Sequence, residues 1–328
     1  MQIISETDMW KAITLEEVMD AIEDAYEIHR QGRYLMPDRF IAAREKNMML
    51  YMPCFLEQVI GTKMLSEFPD NPKKGLPYLN GLMILNHAET GLPMAVMNGS
   101  ALTAMRTGAV GGVALRYLAP ADCHSVGLVG CGTQGLHQLL YACAVRPITD
   151  IYLYDSFVND LAPFAARLTE KLCQAGIPKV QIHPCTDIVS LITNSQILIS
   201  ATQATDPVYP DDPELLRGKC LVAIGSWRPK RRELPDAVWR LVENAYTELP
   251  FACEETGDLR IPLEHNILTP ERVCYMEDLI HDTKEGHPHT FRETRCFKSV
   301  GMGIFDARVA LLIYENAVKK KLGQDIAW

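Results

Sequence analysis

The stretch Ser125-Val126-Gly127-Leu128-Val129-Gly130-Cys131-Gly132-Thr133-Gln134-Gly135, with Ile151-Tyr152-Leu153-Tyr154-Asp155 after it, carries the residue types that hold a dinucleotide. A short apolar run enters Gly-x-Gly-x-x-Gly, a helix-like segment follows, and a second apolar run ends in Asp. Gly130 permits a tight turn, Gly132 lets backbone N–H groups approach a pyrophosphate, and Gly135 lets the helix pack closely on the strand. Phosphates would then sit at a helix N-terminus, where unpaired N–H groups and the helix dipole favour anions. Asp155 lies 20 residues beyond Gly135, where a carboxylate can accept both ribose hydroxyl protons. The same carboxylate repels a 2′-phosphate, so the expected cofactor is NAD rather than NADP. A lone glycine motif is a weak sign, but here the strand before it, the helix after it and the acid agree. Cys131 reads as a small residue tolerated in a tight turn rather than as a reactive thiol.

A whole domain's length of chain precedes that loop. Thr14 and Glu17 form a capping box, and Leu15, Val18, Met19, Ile22 and Tyr26 follow at helical spacing, which predicts an amphipathic helix over 15–31. Segments 48–52, 59–64 and 81–86 read as strands, and Glu89-Thr90-Gly91 as a turn. These predict a curved, largely antiparallel sheet with the first helix packed on it. Residues 99–118 read as a helix rich in small residues. Beyond it, apolar runs at 126–130, 151–154, 179–182, 196–200 and 220–225 alternate with helical stretches, the pattern of a parallel sheet wrapped by helices. A last helix over 304–322 has an apolar face and can fold back onto the first domain. The expected class is α/β: a Rossmann dinucleotide-binding domain at 121–303 and an α+β substrate domain at 1–120, with 304–328 returning to it.

Composition narrows the partners. The 328 residues carry a formal net charge of −9, which argues against nucleic acid and anionic membranes. No apolar run reaches the roughly 18 residues that a membrane span needs. The N-terminus has no basic region and no signal-peptide core, and the ten cysteines form no Cys-x-x-Cys pair, so free thiols in a reducing cytoplasm are expected.

Several segments together resemble the ornithine cyclodeaminase/mu-crystallin family. They are Pro37-Asp38-Arg39, Gly61-Thr62-Lys63, Leu102-Thr103-Ala104-Met105-Arg106-Thr107-Gly108-Ala109, Ile224-Gly225-Ser226-Trp227-Arg228-Pro229 with Glu233-Leu234, and Phe297-Lys298-Ser299-Val300-Gly301. The resemblance runs in the same order over nearly the whole chain. It implies an NAD-dependent enzyme of the group that includes archaeal-type alanine dehydrogenases and ketimine or pyrroline-2-carboxylate reductases. It also implies a homodimer, with the non-Rossmann domain forming the interface. Arg39, Lys63 and Arg106 match the family's substrate-pocket cations. Three cations from separate segments of an acidic protein can converge on a substrate carboxylate, an Arg giving bidentate geometry; the plainer reading is that each is a solvated surface charge. Thr133 and Gln134 match residues whose N–H groups meet the pyrophosphate. Ala201 and Thr202 would flank the adenosine or ribose side, and Ser299 and Val300 correspond to residues near the nicotinamide and substrate. Arg231 falls near a family cofactor contact and could touch the dinucleotide, and Thr107 and Tyr78 are weaker candidates.

The chain also departs from that pattern. Where cyclodeaminases and archaeal-type alanine dehydrogenases carry Gly-x-Asp, whose Asp is the catalytic acid/base in ornithine cyclodeaminase, this chain reads Gly225-Ser226-Trp227. An indole N–H only donates, so Trp227 cannot accept a proton from a substrate amine. The run Arg228, Lys230, Arg231, Arg232 would suit a second carboxylate better than a second ammonium, unless it is a solvated charge run. Asn98 stands where many members have Asp. His281, and His287 and His289 beside Gly286 and Pro288, offer an alternative acid/base, but no metal site is expected; His87 reads as a surface residue.

These readings predict an NAD(H)-dependent oxidoreductase acting on the C–N bond of a small amino or imino acid. Arg39, Lys63 and Arg106 would hold the carboxylate, with Lys63 and Arg106 as the catalytic pair. Lys63 is expected to be the proton donor or electrostatic partner at the imine nitrogen, since a Lys among cations has a lowered pKa. The alternatives are an ornithine cyclodeaminase, which forms proline and ammonia, and a non-catalytic binding protein of the mu-crystallin type.

Overall fold

The computed structural model describes every residue except Pro288, Thr290, Arg292 and Trp328. The chain forms two compact units, Met1–Arg106 with Met302–Trp328, and Thr107–Gly301.

The first unit opens with β1 (Gln2–Ile4) and α1 (Glu6–Ala12), capped by the Ser5 hydroxyl. The capping box starts α2 (Leu15–Arg30): Thr14 Oγ1 accepts from the Glu17 N–H, and the Glu17 carboxylate accepts from the Thr14 N–H at 2.7 Å. Such a cap contributes about 1 kcal/mol. Then follow β2 (Phe40–Arg44), β3 (Asn47–Phe55), β4 (Val59–Glu67), β5 (Leu79–His87) and β6 (Pro93–Asn98), each antiparallel to the next. β1 joins β6 in parallel. Along β4 the residues Val59, Gly61, Lys63, Leu65 and Glu67 are buried and those between them are not, the period of two of a half-buried strand. Lys63 therefore points into the core with the apolar residues.

α3 (Gly99–Leu118) begins at Asn98, whose side-chain oxygen accepts from the N–H groups of Ser100 and Ala101, both at 3.0 Å. Position 98 thus serves as a helix cap, a task Asn performs as well as Asp. The division between the units falls inside α3, between Arg106 and Thr107. The reason lies in its small residues: a Cβ at Gly108 would meet Tyr141, and one at Gly111 would meet Gln138. The second half of the helix is therefore pressed onto α4 (Thr133–Val145).

The second unit alternates strand and helix. β7 (Ser125–Val129) leads into α4, then β8 (Asp150–Tyr154), α5 (Ala162–Gln174), β9 (Gln181–Pro184), α6 (Ile188–Asn194), β10 (Ile197–Ser200), α7 (Pro213–Leu216) and β11 (Cys220–Ala223). After them come α8 (Asp236–Leu241), β12 (Ala245–Thr247), α9 (Ala252–Glu255), α10 (Gly257–Glu264), β13 (Val273–Tyr275), α11 (Met276–Lys284) and β14 (Arg295–Lys298). The sheet order is β13-β12-β14-β11-β10-β7-β8-β9, with every pairing parallel. Chain order reverses at β7, and the turn after β7 lies where open α/β sheets bind ligands.

The chain ends in the first unit with α12 (Gly303–Lys320) and β15 (Gln324–Asp325). α12 packs on α2, with Phe305 edge-on to Tyr26 at 4.9 Å, and on β4 at Gly61. Among the described residues, no helix is long and apolar enough to cross a membrane.

Candidate active site

Lys63 on β4 and Arg106 on α3 meet on a single carboxylate. Asp306, in the first turn of α12, lies 2.7 Å from Lys63 Nζ through Oδ2 and accepts from Arg106 Nε at 2.8 Å through Oδ1. Lys63 and Asp306 are 0% exposed and Arg106 is 6% exposed, so neither cation is a solvated surface charge. Sequence reasoning missed Asp306. The signal that finds it is a carboxylate set among Ile304, Phe305, Ala307 and Ala310 on a buried helix face. α12 can approach Lys63 because position 61 is Gly: a Cβ there would fall 2.8 Å from the Ala307 Cβ and 2.7 Å from Met83 Cε.

Burial is the largest force on the Lys63 ammonium, and it pushes the pKa down to about 7. The Arg106 charge pushes the same way, Asp306 pulls back up, and Arg39 adds a smaller downward push. Arg39, half-buried just before β2, is thus electrostatically part of the same cluster. Burial, reinforced by Asp306, pushes the neighbouring Cys54 thiol up to about 12, so it stays protonated. The Lys63–Asp306 contact takes one side of the ammonium, and Arg106 Nη1 is buried with no partner among the described residues. Both cations keep donors for an incoming acceptor, and donors left unmade in a buried site are costly.

In the second unit the glycine loop has the geometry its spacing implies. Gly130 has φ 96°, and a Cβ there would meet the Ala201 carbonyl oxygen at 2.7 Å and Thr202 Cγ2 at 2.8 Å. The turn and the 201–202 segment are therefore in contact. A Cβ at Gly135 would lie 2.3 Å from the Gly130 oxygen, so α4 packs directly against the turn. Gly132 faces open space, and no side chain caps α4. The first N–H groups of α4, with Thr133 and Gln134 in that turn, suit a pyrophosphate in this space. Asp155 Oδ2 accepts from the Cys131 N–H at 2.9 Å, and Oδ1 accepts from the N–H groups of Phe157 and Val158 at 2.9 and 3.2 Å. Thr107 Oγ1 is buried with no partner among the described residues. An open glycine turn, an uncapped helix start, an acid at the end of β8 and an unpaired hydroxyl fit a dinucleotide. The Cys131 thiol is pushed up to about 12 by burial, which makes it inert.

Other loops of this unit hang on buried acids that the sequence did not mark as a set. Ser299 donates its hydroxyl proton to Glu248 Oε1, so it offers a ligand only its oxygen lone pairs. Glu248 Oε2 accepts from the N–H groups of Val300 and Gly301 at 2.7 and 2.9 Å. Glu233 Oε1 accepts from the Thr202 N–H at 2.7 Å, and Oε2 accepts from the Gly225 N–H at 2.7 Å. Lys298 Nζ lies 3.0 Å from Asp258 and 3.7 Å from Glu233, all three at 0% exposure. Burial pushes the Glu233 carboxyl up, and the Lys298 ammonium opposes it.

The remaining positions are less engaged. Trp227 is half-buried, with the Arg228 guanidinium 4.9 Å from its ring centroid. Arg232 donates to the Leu234 carbonyl and pairs with Asp236 at 2.6 Å, so the basic run is not one free cationic surface. Arg231 is half-buried, and its carbonyl accepts the Ser226 hydroxyl. Tyr78 donates to Glu67 Oε2 at 2.9 Å. His289 pairs with Asp282 at 3.2 Å; Pro288 lies outside the described residues. Among the described residues no group of three His, Cys, Asp or Glu side chains is placed to hold a metal ion.

Residues 2–321 match the ornithine cyclodeaminase/mu-crystallin family. The chain is 30% identical to the alanine dehydrogenase of Archaeoglobus fulgidus over 325 residues, 99% of this chain and 97% of that one. It superposes on the Delta(1)-pyrroline-2-carboxylate reductase of Thermococcus litoralis, solved with NADH and L-proline, with a TM-score of 0.88 at 32% identity, covering 99% of this chain and 100% of that one. An archaeal alanine dehydrogenase dimer with bound NAD gives a TM-score of 0.85 at 28% identity, covering 100% and 99%. The match takes in both units, the glycine loop and the segments that carry Arg39, Lys63 and Arg106. This chain belongs to the ornithine cyclodeaminase/mu-crystallin family.

Proposed function

We propose that the protein is an NAD(H)-dependent oxidoreductase acting on the C–N bond of a small amino or imino acid, as an imine reductase or an amino acid dehydrogenase. The observation that carries this reading is the buried Lys63–Asp306–Arg106 cluster, which holds one more cation than anion when Lys63 is protonated and keeps N–H donors unspent. A substrate carboxylate supplies the missing charge and the missing acceptors. Arg106 offers it two parallel N–H groups through its Nη atoms, and Arg39 adds a second cation. When bound, NADH supplies the hydride that the substrate α-carbon accepts. Lys63 gives a proton at the substrate nitrogen in reduction and takes one back in oxidation. A Lys near pKa 7 can do both at neutral pH, where general acid–base catalysis is most efficient. Asp155 favours a free 2′-hydroxyl and hence NAD over NADP.

Relatives with these properties support the reading: the Thermococcus litoralis reductase was solved with NADH and L-proline, and the archaeal alanine dehydrogenase as a dimer with NAD. We infer a homodimer as well. The first unit leaves Leu35, Phe40, Phe55 and Leu82 between 42% and 65% exposed, and β2 is exposed along its length, which favours burial against a second copy.

The test is to follow NADH absorbance with cyclic imino acids, and with 2-oxo acids plus ammonia or methylamine. Turnover on any of them supports the reading. Ornithine converted to proline and ammonia with no net NADH change would replace it with a cyclodeaminase, against the indole at Trp227. Tight carboxylate binding with no turnover would replace it with a binding protein.

A further inference from the structure

We propose that Asp306 is a positioning residue of this active site: one carboxylate holds the Lys63 ammonium with one oxygen and the Arg106 Nε edge with the other, and so fixes how both cations face the substrate. This rests on the reading that Lys63 and Arg106 serve the reaction.

The geometry sets Asp306 apart from an ordinary ion pair. Its two oxygens serve two cations from two different elements, at 2.7 and 2.8 Å, with no solvent on either side. Because Nε is the atom Asp306 takes, the Nη groups of Arg106 stay available, and Nη1 is buried without a partner among the described residues. A buried pair of charges seldom adds net stability, because desolvation offsets the attraction. Stability alone therefore does not account for a carboxylate in the apolar start of α12. Its depth is built in, since Gly61 gives up its side chain so that Ala307, the next residue after Asp306, can rest on β4.

Asp306 also opposes the two forces that strip charge from Lys63, burial first and the Arg106 charge second. The groups acting on Lys63 are Arg106 from α3, Asp306 from α12 and Arg39 from the segment before β2. On β3, Cys54 is held neutral by burial. The cross-strand neighbours Met52 and Met83 carry no charge. Glu67, on the same face of β4, accepts from Tyr78. Asp306 supplies the upward pull among these, so its removal leaves Lys63 between cations and drives the amine to the neutral form at lower pH. Imine reduction needs the protonated form, so the alkaline limb of the rate moves toward acid.

The experiment compares wild type with Asp306→Asn, which keeps the shape and removes the charge. Lysine labelled with 13C at Cε reads the Lys63 titration directly by NMR, with Lys63→Met assigning the resonance, and the pH profile of kcat/KM for imine reduction is measured in parallel. The expected result is a Lys63 titration and an alkaline limb both displaced toward acid by about one to three pH units, a raised KM, and unchanged NADH affinity. A purely structural role would lower activity evenly across pH and leave both in place; that result overturns the proposal. If Asp306→Asn does not fold, Asp306→Glu replaces it: the charge stays but shifts by one methylene, so Lys63 should titrate as in wild type while KM rises, and an unchanged KM overturns the proposal. A displaced titration in a protein that turns over no substrate leaves Asp306 as assigned and removes the functional reading instead.

Discussion

Ala307 lies against Gly61 so closely that a Cβ at position 61 would fall 2.8 Å from the Ala307 Cβ and 3.0 Å from its Cα. Lys63 is two residues along β4 from that contact and Asp306 one residue back along α12, so the same contact sets the Lys63–Asp306 distance. Gly61→Ala is expected to destabilise the protein by about 1–3 kcal/mol, the range for overpacking. It should also lower turnover at temperatures where the variant remains folded, because α12 must lift and take Asp306 with it. Urea unfolding and activity assays on the same sample check this; full activity would show that the contact does not position the acid.

Arg106→Lys keeps a charge but loses the fork. A Lys cannot give one N–H to Asp306 and two parallel ones to a carboxylate. We expect KM for the amino or imino acid to rise by more than about tenfold, equivalent to ~1.4 kcal/mol, with NADH affinity unchanged. Lys63→Met should instead reduce kcat by about 10²–10⁴, the usual worth of a general acid. Steady-state kinetics separate the two effects, and a Lys63→Met enzyme with wild-type kcat would remove Lys63 from the chemistry.

Stability should depend on pH through Lys63. Its folded pKa, about 7, lies below the ~10.4 of an unfolded lysine. Between those values the unfolded chain binds more protons than the folded one, so this residue's contribution to stability rises with pH across that window and is lowest below pH 7. Urea unfolding of the ligand-free protein at pH 6.5 and 8.5 should show a rise on the order of 1–2 kcal/mol from this source. The rise should vanish in Lys63→Met; if it persists there, another group is titrating.

Glu248 offers a sharper pair of variants. Glu248→Ala strands the Ser299 hydroxyl and the N–H groups of Val300 and Gly301 without an acceptor, each worth about 1–3 kcal/mol when buried. Glu248→Gln keeps an oxygen for the two N–H groups, and its NH2 can donate to the Ser299 oxygen once that hydroxyl turns. The Ala variant should therefore unfold at clearly lower urea concentration than the Gln variant. Equal midpoints would mean that a neutral acceptor oxygen at position 248 does not suffice to hold this loop.

Much of the fold is legible because its signals are local. The capping box at Thr14 and Glu17, the apolar spacing that follows it and the small-residue run before the glycine loop mark α2 and α3 without reference to the rest of the chain. β1, β12 and β13 are three residues each, too short to show a period, and gain their pairing only from neighbours far along the chain. The site divides in the same way. The glycine loop and Asp155 are held by spacing within one βαβ unit. Asp306 is 243 positions from Lys63 and 200 from Arg106, and its task exists only once α12 packs on β4. Glu248 is hidden for a similar reason: its partners lie at least 51 residues away and two of the three are backbone amides, which leave no trace in residue type.

The carboxylate to which we assign the choice of cofactor in our proposal is also a fastener of the backbone. Asp155 is tied to the amide of Cys131 inside the glycine turn and to two amides of its own loop. A change at position 155 that welcomed a phosphorylated ribose would unfasten the turn in the same stroke. On the proposed role of Asp155, cofactor preference would be guarded by folding as well as by charge. A lineage or a designer seeking the other cofactor has to find two changes together: one at residue 155, and one that re-anchors the Cys131 amide.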